Sequence, residues 1–86
     1  MPEVTRFFGI VIRMYFRDHN PAHFHAEYGE FEVLVEIETL AALRGSLPRR
    51  AMALVLEWAA VHRQELRDNW ERARGGEPLE SIAPLD

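Results

Sequence analysis

The sequence predicts an α+β fold in which one long C-terminal helix covers one face of an antiparallel sheet of four or five strands. Apolar and polar residues alternate with a period of two in the first half of the chain, whereas apolar residues recur at helical spacing in the second half. This order assigns 3–44 to the sheet, 48–74 to the helix and 75–86 to a tail. The chain has 86 residues, so 1–86 is expected to be a single domain.

The first two strand signals are expected to form a hairpin. A short run at 4–8 is separated by Gly9 from the segment IVIRMYF at 10–16. In that segment the even-numbered residues are apolar, and Arg13 and Tyr15 lie on the opposite side. The sequence therefore predicts that Arg13 and Tyr15 lie on the face of the sheet that the helix leaves open.

The next two strand signals, HFHAEY at 23–28 and FEVLVEI at 31–37, are joined by Gly29-Glu30. Glycine at the first central position favours a two-residue type II′ turn, which pairs Tyr28 with Phe31. This register places Phe24 and Ala26 opposite Val35 and Val33 on the covered face. The open face then carries His23, His25 and Glu27 opposite Glu36, Leu34 and Glu32. The alanine-rich segment TLAALRG at 39–45 is the candidate for a fifth strand, at the edge.

The second half of the chain indicates a helix that begins near Pro48, which suits a first helical turn, and stops at Gly75-Gly76. His62 is the ionisable residue within its apolar stripe, and we expect it to be buried with one ring nitrogen bonded to a backbone carbonyl. The apolar residues of the following tail either hold it against the domain or leave it frayed. The stripe consists of Met52, Val55, Ala59, His62, Leu66 and Trp70.

Composition excludes several classes of protein. The chain has no cysteine, so a disulfide framework and a thiolate metal site are both impossible. Its formal net charge of −4 argues against broad binding along a nucleic-acid backbone. There is no basic leader with an apolar core, and no apolar run approaches the roughly 18 residues that span a bilayer. A cytoplasmic protein without a membrane segment is the expectation.

The open face has one electrostatic conflict. The predicted register sets Glu27 directly against Glu32, and like charges in that position destabilise a sheet. A cation should offset them, and the candidates are a protonated histidine, a neighbouring arginine or a metal ion.

A metal site is one interpretation of this face. His23 and His25 are two residues apart on a strand, so both side chains point the same way. With Glu27 they would form a His/His/Glu set suited to zinc, nickel, iron or manganese, and His19 and Glu32 are further candidate ligands. The alternative is a solvated sheet face without a ligand.

Acid–base chemistry on RNA is a second interpretation. A small ribonuclease needs a base, an acid and a cation for the phosphate. His25 or Glu27 would be the base, His23 the acid, and Arg13 or Arg17 the phosphate contact. Asp18, His19, Asn20 and Pro21 are interpreted as a rigid turn in which Asp18 accepts hydrogen bonds from backbone amides.

The segments FGIVIRMYFRDHNPAHFHAEYG and GSLPRRAMALVLEWAAVHRQELRDNW, with the tail EPLESIAPL, resemble the family called domain of unknown function 4160. The family's His-x-Pro-Pro-His-x-His signature corresponds here to His19, Pro21, His23 and His25, with Ala22 where a second proline is frequent. The resemblance implies a small bacterial cytosolic protein. It also implies a neighbouring gene for a protein of the domain of unknown function 2442 type, in an arrangement like that of a toxin–antitoxin pair.

Three functional hypotheses follow. The leading one is a component of a two-gene, toxin–antitoxin-like module that acts through a partner protein and on RNA, with His23, His25, Glu27 and Arg13 as its catalytic residues. The second is a divalent-metal-binding protein or small metalloenzyme that uses the same histidines. The third is a protein-interaction module in which the histidine loop serves only the fold.

Overall fold

A computed structural model describes residues 3–86 as five strands followed by two helices. The fold is α+β, as the sequence predicted. Within the described residues no helix is long and apolar enough to cross a membrane. The elements are β1 (Glu3–Phe7), β2 (Ile10–Arg13), β3 (His23–Tyr28), β4 (Phe31–Glu36), β5 (Ala42–Ser46), α1 (Arg49–Val61) and α2 (Arg63–Arg74).

The five strands form an antiparallel meander in the order β1-β2-β3-β4-β5. The predicted first hairpin is confirmed, and its turn residues Phe8 (φ 48°) and Gly9 (φ 79°) both have the positive φ that a type I′ turn requires. The second strand is shorter than predicted, because its pairing with β3 ends at Arg13 opposite His25. Phe16, which the alternation assigned to the covered face, is exposed beyond that end.

The register between β3 and β4 is the one that the Gly29-Glu30 turn predicts. Tyr28 pairs with Phe31 and His25 pairs with Leu34, and the ladder extends from there to His23 opposite Glu36. Gly29 has a φ of 59°, as the first central residue of a type II′ turn needs. A shift of the register by one residue would move every side chain of the strand to the opposite face of the sheet. The observed register therefore fixes the face on which the histidines lie.

The fifth strand exists and is irregular. Leu34 pairs with Arg44 but the next residue, Val35, pairs with Ala42, so Leu43 has no partner on β4 and forms a bulge. Gly45 follows with a φ of 76°. A Cβ at Gly45 would lie 2.2 Å from the backbone oxygen of Glu32, so only glycine lets the two strands approach this closely.

The core lies between one face of the sheet and the two helices. Phe24 and Ala26 from β3 are fully buried there, and Trp58 is the largest fully buried side chain. Trp58 packs against Phe24 with ring centroids 5.9 Å apart. Burial of these apolar side chains is the main source of stability in a domain of this size.

The prediction of one long helix is wrong, because the helix breaks at His62. That residue has φ −110° and ψ 23°, and its backbone N–H is shared between the carbonyls of Trp58 and Ala59. The interruption is a single residue, so apolar spacing continues across it and periodicity cannot reveal it. The imidazole is half-buried and its Nδ1 lies beside the Glu65 carboxylate, so the expected bond to a backbone carbonyl is also wrong.

The tail after Gly76 is held against the domain, which decides between the two alternatives left open by the sequence. Ile82 is buried, and its N–H donates to the Val4 carbonyl at 3.2 Å. Trp58 donates its indole N–H to the Ala83 carbonyl at 2.8 Å, and the Asn69 amide donates to the Glu80 carbonyl at 2.8 Å.

Candidate metal centre

The two histidines of β3 point to the same side of the sheet but differ in exposure. His23 is 5% exposed and packs against Trp70 of α2, with ring centroids 5.3 Å apart. The side chain of His25 is 13% exposed and meets the edge of the Tyr15 ring at a centroid distance of 4.5 Å. The imidazole rings of the two histidines are 5.2 Å apart. They are close enough to act on one ligand.

The loop before β3 brings Asp18 to the same point. Arg17 has a φ of 56°, a left-handed conformation that is unusual for a residue with a side chain, and its N–H donates to the Ala73 carbonyl of α2 at 3.3 Å. The next residue is Asp18, whose Oδ1 accepts a hydrogen bond from the backbone N–H of His19 at 2.8 Å. This contact orients the carboxylate so that Oδ2 faces the imidazoles. The Asn20–Pro21 peptide bond in this loop is cis.

Three side chains converge on one point. Asp18 Oδ2 lies 3.0 Å from His23 Nε2 and 3.1 Å from His25 Nε2. These atoms of Asp18, His23 and His25 all lie within 4.8 Å of one another.

The other nitrogen of each imidazole also faces an oxygen. His23 Nδ1 lies 2.8 Å from the Pro21 carbonyl oxygen, and His25 Nδ1 lies 3.0 Å from Glu32 Oε2. A carbonyl and an ionised carboxylate only accept hydrogen bonds, and a neutral imidazole has one N–H and one lone pair. When each Nδ1–H donates outward, both Nε2 atoms present lone pairs to the Asp18 oxygen. With these tautomers, the inward atoms interact favourably only when additional protons or a cation lie between them.

The Asp18 carboxylate is in its charged form near neutral pH. Partial burial acts to raise the pKa of Asp18. When the imidazoles carry protons on Nε2 and no metal ion is bound, the hydrogen bonds from His25 and from the His19 backbone N–H, together with the charges of the histidines, outweigh burial and hold that pKa below its usual value. Burial and the nearby Glu27 charge raise the pKa of Tyr15, which keeps its phenol protonated beside His25.

Two of the three separations between the converging atoms are compatible with a shared metal ion. Neighbouring ligands about 2.1 Å from an octahedral ion are about 3.0 Å apart, whereas tetrahedral ligands at that distance are about 3.4 Å apart. The Asp18 Oδ2 separations of 3.0 Å and 3.1 Å match the octahedral value. The outward Nδ1–H contacts are those that metal-binding histidines usually make to carbonyls and carboxylates.

The structure divides the acidic residues of the open face between two partners. Glu27 pairs with Arg13, whose Nε lies 3.2 Å from Glu27 Oε1, so Glu27 and Arg13 are outside the histidine cluster. Glu32, directly opposite Glu27, turns to His25 instead. The predicted conflict between the two carboxylates is thus relieved by an arginine on one side and a histidine on the other.

The carboxylate beside the histidines is Asp18, which the sequence analysis assigned to the turn. Its expected backbone hydrogen bond exists, but that bond uses only Oδ1 and leaves Oδ2 for the cluster. The one signal in the sequence was proximity, since Asp18 precedes His23 by five residues in a loop rich in turn formers. His19 is exposed, and the hydrogen bonds and ion pairs among residues 3–86 do not include its imidazole.

The cluster opens into a cavity of about 310 Å³. Its lining includes Asp18, His23 and His25 together with Leu34, Leu43 and Arg44. His19, Asn20 and Pro21 also line it. A small molecule in this cavity would therefore lie beside the three residues of the cluster.

The fold and the site define a small α+β protein with a His/His/Asp cluster at the open face of a five-stranded sheet. The chain belongs to the family described as Domain of unknown function (DUF4160), whose sequence model matches residues 9–71. This range contains all three residues of the cluster. Comparisons with curated proteins and with solved structures found no match.

Proposed function

We propose that this protein binds one divalent transition-metal ion through Asp18 Oδ2, His23 Nε2 and His25 Nε2. The observation that supports this most directly is the direction of the imidazoles. Both have Nδ1 against an acceptor and Nε2 against the same carboxylate oxygen. A metal ion satisfies all three inward atoms without two extra protons on adjacent rings.

Two nitrogens and one oxygen are ligands for zinc, nickel, iron or manganese, the metals that the sequence also suggested. Three protein ligands leave coordination positions open, which is typical of sites that bind a further ligand and not of closed structural sites. The cavity beside the cluster supplies the space for such a ligand. The proposal is therefore a metal site that remains accessible to a small molecule.

The test is metal binding by protein purified without a histidine tag and treated with a chelator. Zinc, nickel, manganese and ferrous iron are added separately, and the melting temperature and the calorimetric affinity are measured. A metal present at 100 times its dissociation constant adds about 2.7 kcal/mol to the free energy of unfolding, which raises the melting temperature by roughly 10 °C or more in a domain of this size. No thermal shift and no binding heat with any of the four metals would contradict the proposal.

The discriminating variant is Asp18→Asn, because the amide can still accept the His19 N–H but is a poor metal ligand. We expect it to lose the thermal shift that the metal produces in the parent protein. Glu27→Gln is the matched control, since it removes a carboxylate from the same sheet face that is paired with Arg13. An equal loss in both variants would mean that general negative charge, and not the cluster, attracts the metal.

A second candidate function is a component of a toxin–antitoxin-like two-gene module. We propose that in this role the protein acts with a partner of the domain of unknown function 2442 type and on RNA. Partial exposure of His25 beside Asp18 supports this candidate, because an imidazole next to a carboxylate can transfer protons. Arg44, which lines the same cavity, could contact a phosphate.

This second candidate is tested by induced expression in a bacterial host and by RNA cleavage in the presence of a chelator. Growth arrest that His25→Ala relieves, with metal-independent cleavage, would favour it over the metal site. Harmless expression together with intact RNA would contradict it.

A further inference from the structure

We propose that the cavity beside Asp18, His23 and His25 binds a small organic monocarboxylate, with Arg44 contacting its carboxylate and Leu34 and Leu43 contacting its apolar part. This inference rests on the proposed metal site, whose open coordination positions the carboxylate would also occupy. It is carried by three observations: the row of paired residues across the sheet, the bulge in β5 and the charge balance of the site.

The row of residues places Arg44 on the same side of the sheet as His25. Arg13 pairs with His25, His25 with Leu34, and Leu34 with Arg44. Directly paired residues project to the same face of an antiparallel sheet, so the row presents these side chains together. Leu34 thus lies between His25 on one side and Arg44 on the other.

The bulge adds an apolar side chain to the cavity. Consecutive residues of a regular strand point to opposite faces, so Leu43 and Arg44 would normally be separated by the sheet. Leu43 is the residue without a partner on β4, and both Leu43 and Arg44 line the cavity. Bulges commonly redirect side chains next to binding sites. Leu43 is 42% exposed, which is a large apolar area to leave in water without a ligand.

The charges favour an anion. The two positive charges of a bound divalent ion are balanced by two carboxylates. Asp18 coordinates the ion, and Glu32 contacts His25, which also coordinates it. Glu27 is paired with Arg13. Glu36 keeps its negative charge, because its partner Thr39 is neutral, but Glu36 does not line the cavity. Arg44 forms no ion pair with any residue in 3–86, so its charge remains uncompensated.

One uncompensated positive charge suits a monoanion, and a guanidinium offers a fork of N–H donors that matches a carboxylate. A phosphate monoester carries between one and two negative charges near neutral pH, roughly −1.5 to −2, and exceeds this balance. The apolar contribution of Leu34 and Leu43 requires a ligand with a hydrocarbon part. The cavity of about 310 Å³ accommodates a short aliphatic acid.

The experiment is isothermal titration calorimetry with pentanoate as the probe, after a first titration that measures zinc binding to the full chain. Pentanoate is expected to bind the zinc-loaded protein with a dissociation constant on the order of 1 mM, as its few atoms allow. Acetate, which lacks the hydrocarbon part, should bind more weakly. Butylamine has a similar hydrocarbon part with the opposite charge and should not bind.

Arg44→Gln should weaken pentanoate binding by about tenfold and leave the zinc affinity unchanged, because Arg44 is not among the three converging residues. Arg49→Gln is the matched control, since Arg49 is exposed at the start of α1 and does not line this cavity. Its pentanoate affinity should equal that of the parent protein.

Each result has a separate meaning. Zinc binding without pentanoate binding, or pentanoate binding that ignores Arg44→Gln, overturns the ligand inference and leaves the metal site standing. Tighter binding of methyl phosphate than of pentanoate overturns the choice of a carboxylate, and acetate binding equal to pentanoate overturns the role of the two leucines. If zinc does not bind, the titrations are repeated with nickel, manganese and ferrous iron; absence of binding by all four metals overturns the metal site, and the ligand inference with it.

Discussion

The two faces of the sheet differ in how each is stabilised, and β3 shows the difference within a single strand. Phe24 and Ala26 point toward the helices and are fully buried among apolar side chains. His25 and Glu27 point the other way and are held by hydrogen bonds to Glu32, Asp18 and Arg13. The covered face therefore depends on apolar packing, whereas the open face depends on the pairing of charges.

This difference explains why the open face can hold a site. Burying polar groups among apolar side chains costs free energy, so the covered face contains few of them. It therefore cannot present converging nitrogen and oxygen atoms to a ligand. No buried side-chain nitrogen or oxygen within residues 3–86 lacks a hydrogen-bond partner. The apolar packing that stabilises the domain lies on one side of the sheet, and the candidate site lies on the other.

The largest expected effect lies on the covered face. Phe24→Ala should lower the free energy of unfolding by about 3–5 kcal/mol, since the fully buried ring leaves a cavity against Trp58. Urea denaturation measures this change. Phe31→Ala, on the neighbouring strand, is the control. Because Phe31 is 43% exposed, this substitution should lower the free energy of unfolding far less.

If Phe24→Ala does not fold, Phe24→Leu gives a milder version of the same comparison. Phe31 has the same strand parity as the buried Val33 and Val35, so equal losses at the two phenylalanines would contradict the claim that burial beneath the helices decides how much a side chain of this face contributes.

The next effect concerns the edge strand that forms the cavity wall. Gly45→Ala should destabilise the protein by about 2–3 kcal/mol, because the added Cβ meets the Glu32 backbone oxygen and the positive φ becomes unfavourable. Gly29→Ala is the matched variant, since Gly29 also has positive φ but no atom lies within 4 Å of its added Cβ. Gly29→Ala should lower the free energy of unfolding by only about 1 kcal/mol, which is the cost of placing a side chain at positive φ.

Thermal denaturation of both glycine variants measures the difference. A loss at Gly45 that does not exceed the loss at Gly29 would mean that β5 moves away from β4 at little cost. The wall that carries Leu43 and Arg44 would then not be rigid.

A smaller effect tests whether charge pairing on the open face orients the ligands. Glu32→Gln should weaken zinc binding by about 10–100-fold, because the carboxylate that receives His25 Nδ1–H is lost. This corresponds to about 1.4–2.7 kcal/mol of binding free energy. Glu27→Gln, directly across the ladder, should change zinc affinity much less. Calorimetry decides, and equal losses would indicate a general field effect and not the orientation of His25.

The smallest effect is expected at a surface pair outside both faces. Arg67 holds Glu38 through two hydrogen bonds of 2.7 Å and 2.9 Å, and these lower the pKa of Glu38 against the opposing effect of desolvation. A lowered carboxylate pKa stabilises the folded state above the pKa of the unfolded chain, and this stabilisation disappears as the pH falls through the folded value. Glu38→Gln should therefore lower the melting temperature slightly at pH 7.

The difference between parent and Glu38→Gln should shrink as the pH falls below about 4.3, the ordinary glutamate value. Glu71→Gln is the control, because its contact with Arg74 is longer, at 3.7 Å. A difference that grows on acidification would contradict the assigned sign. Exposed ion pairs contribute little in general, which is why this effect is ranked last.

Local patterns were sufficient to predict most of the sheet. The Gly29-Glu30 turn defined the register of β3 and β4, and the register placed His23 and His25 on one face and set Glu27 against Glu32. Turn geometry and period-two alternation act over a few residues, so they can be inferred without knowledge of distant contacts. The fold class and the region of the candidate site followed from them.

Contacts between distant segments decided the composition of the cluster. The position of Asp18 depends on the left-handed conformation of Arg17 and on its hydrogen bond to Ala73 in α2, which is remote in sequence. The pairing of β2 with β3 ends with Arg13 opposite His25, and this position lets Arg13 contact Glu27. Neither can be obtained from alternation, so the carboxylate nearest the histidines was assigned to the turn.

By itself, then, the sequence determined the α+β class, the antiparallel pairing and the side of the sheet on which the histidines lie, because those properties depend on short-range periodicity and turn chemistry. Only the tertiary structure decided that Asp18 completes the cluster, that the helix breaks at His62, and that a bulge brings Leu43 and Arg44 to the same cavity. Each of these depends on packing between segments far apart in the chain, where small changes in backbone direction determine which side chains meet.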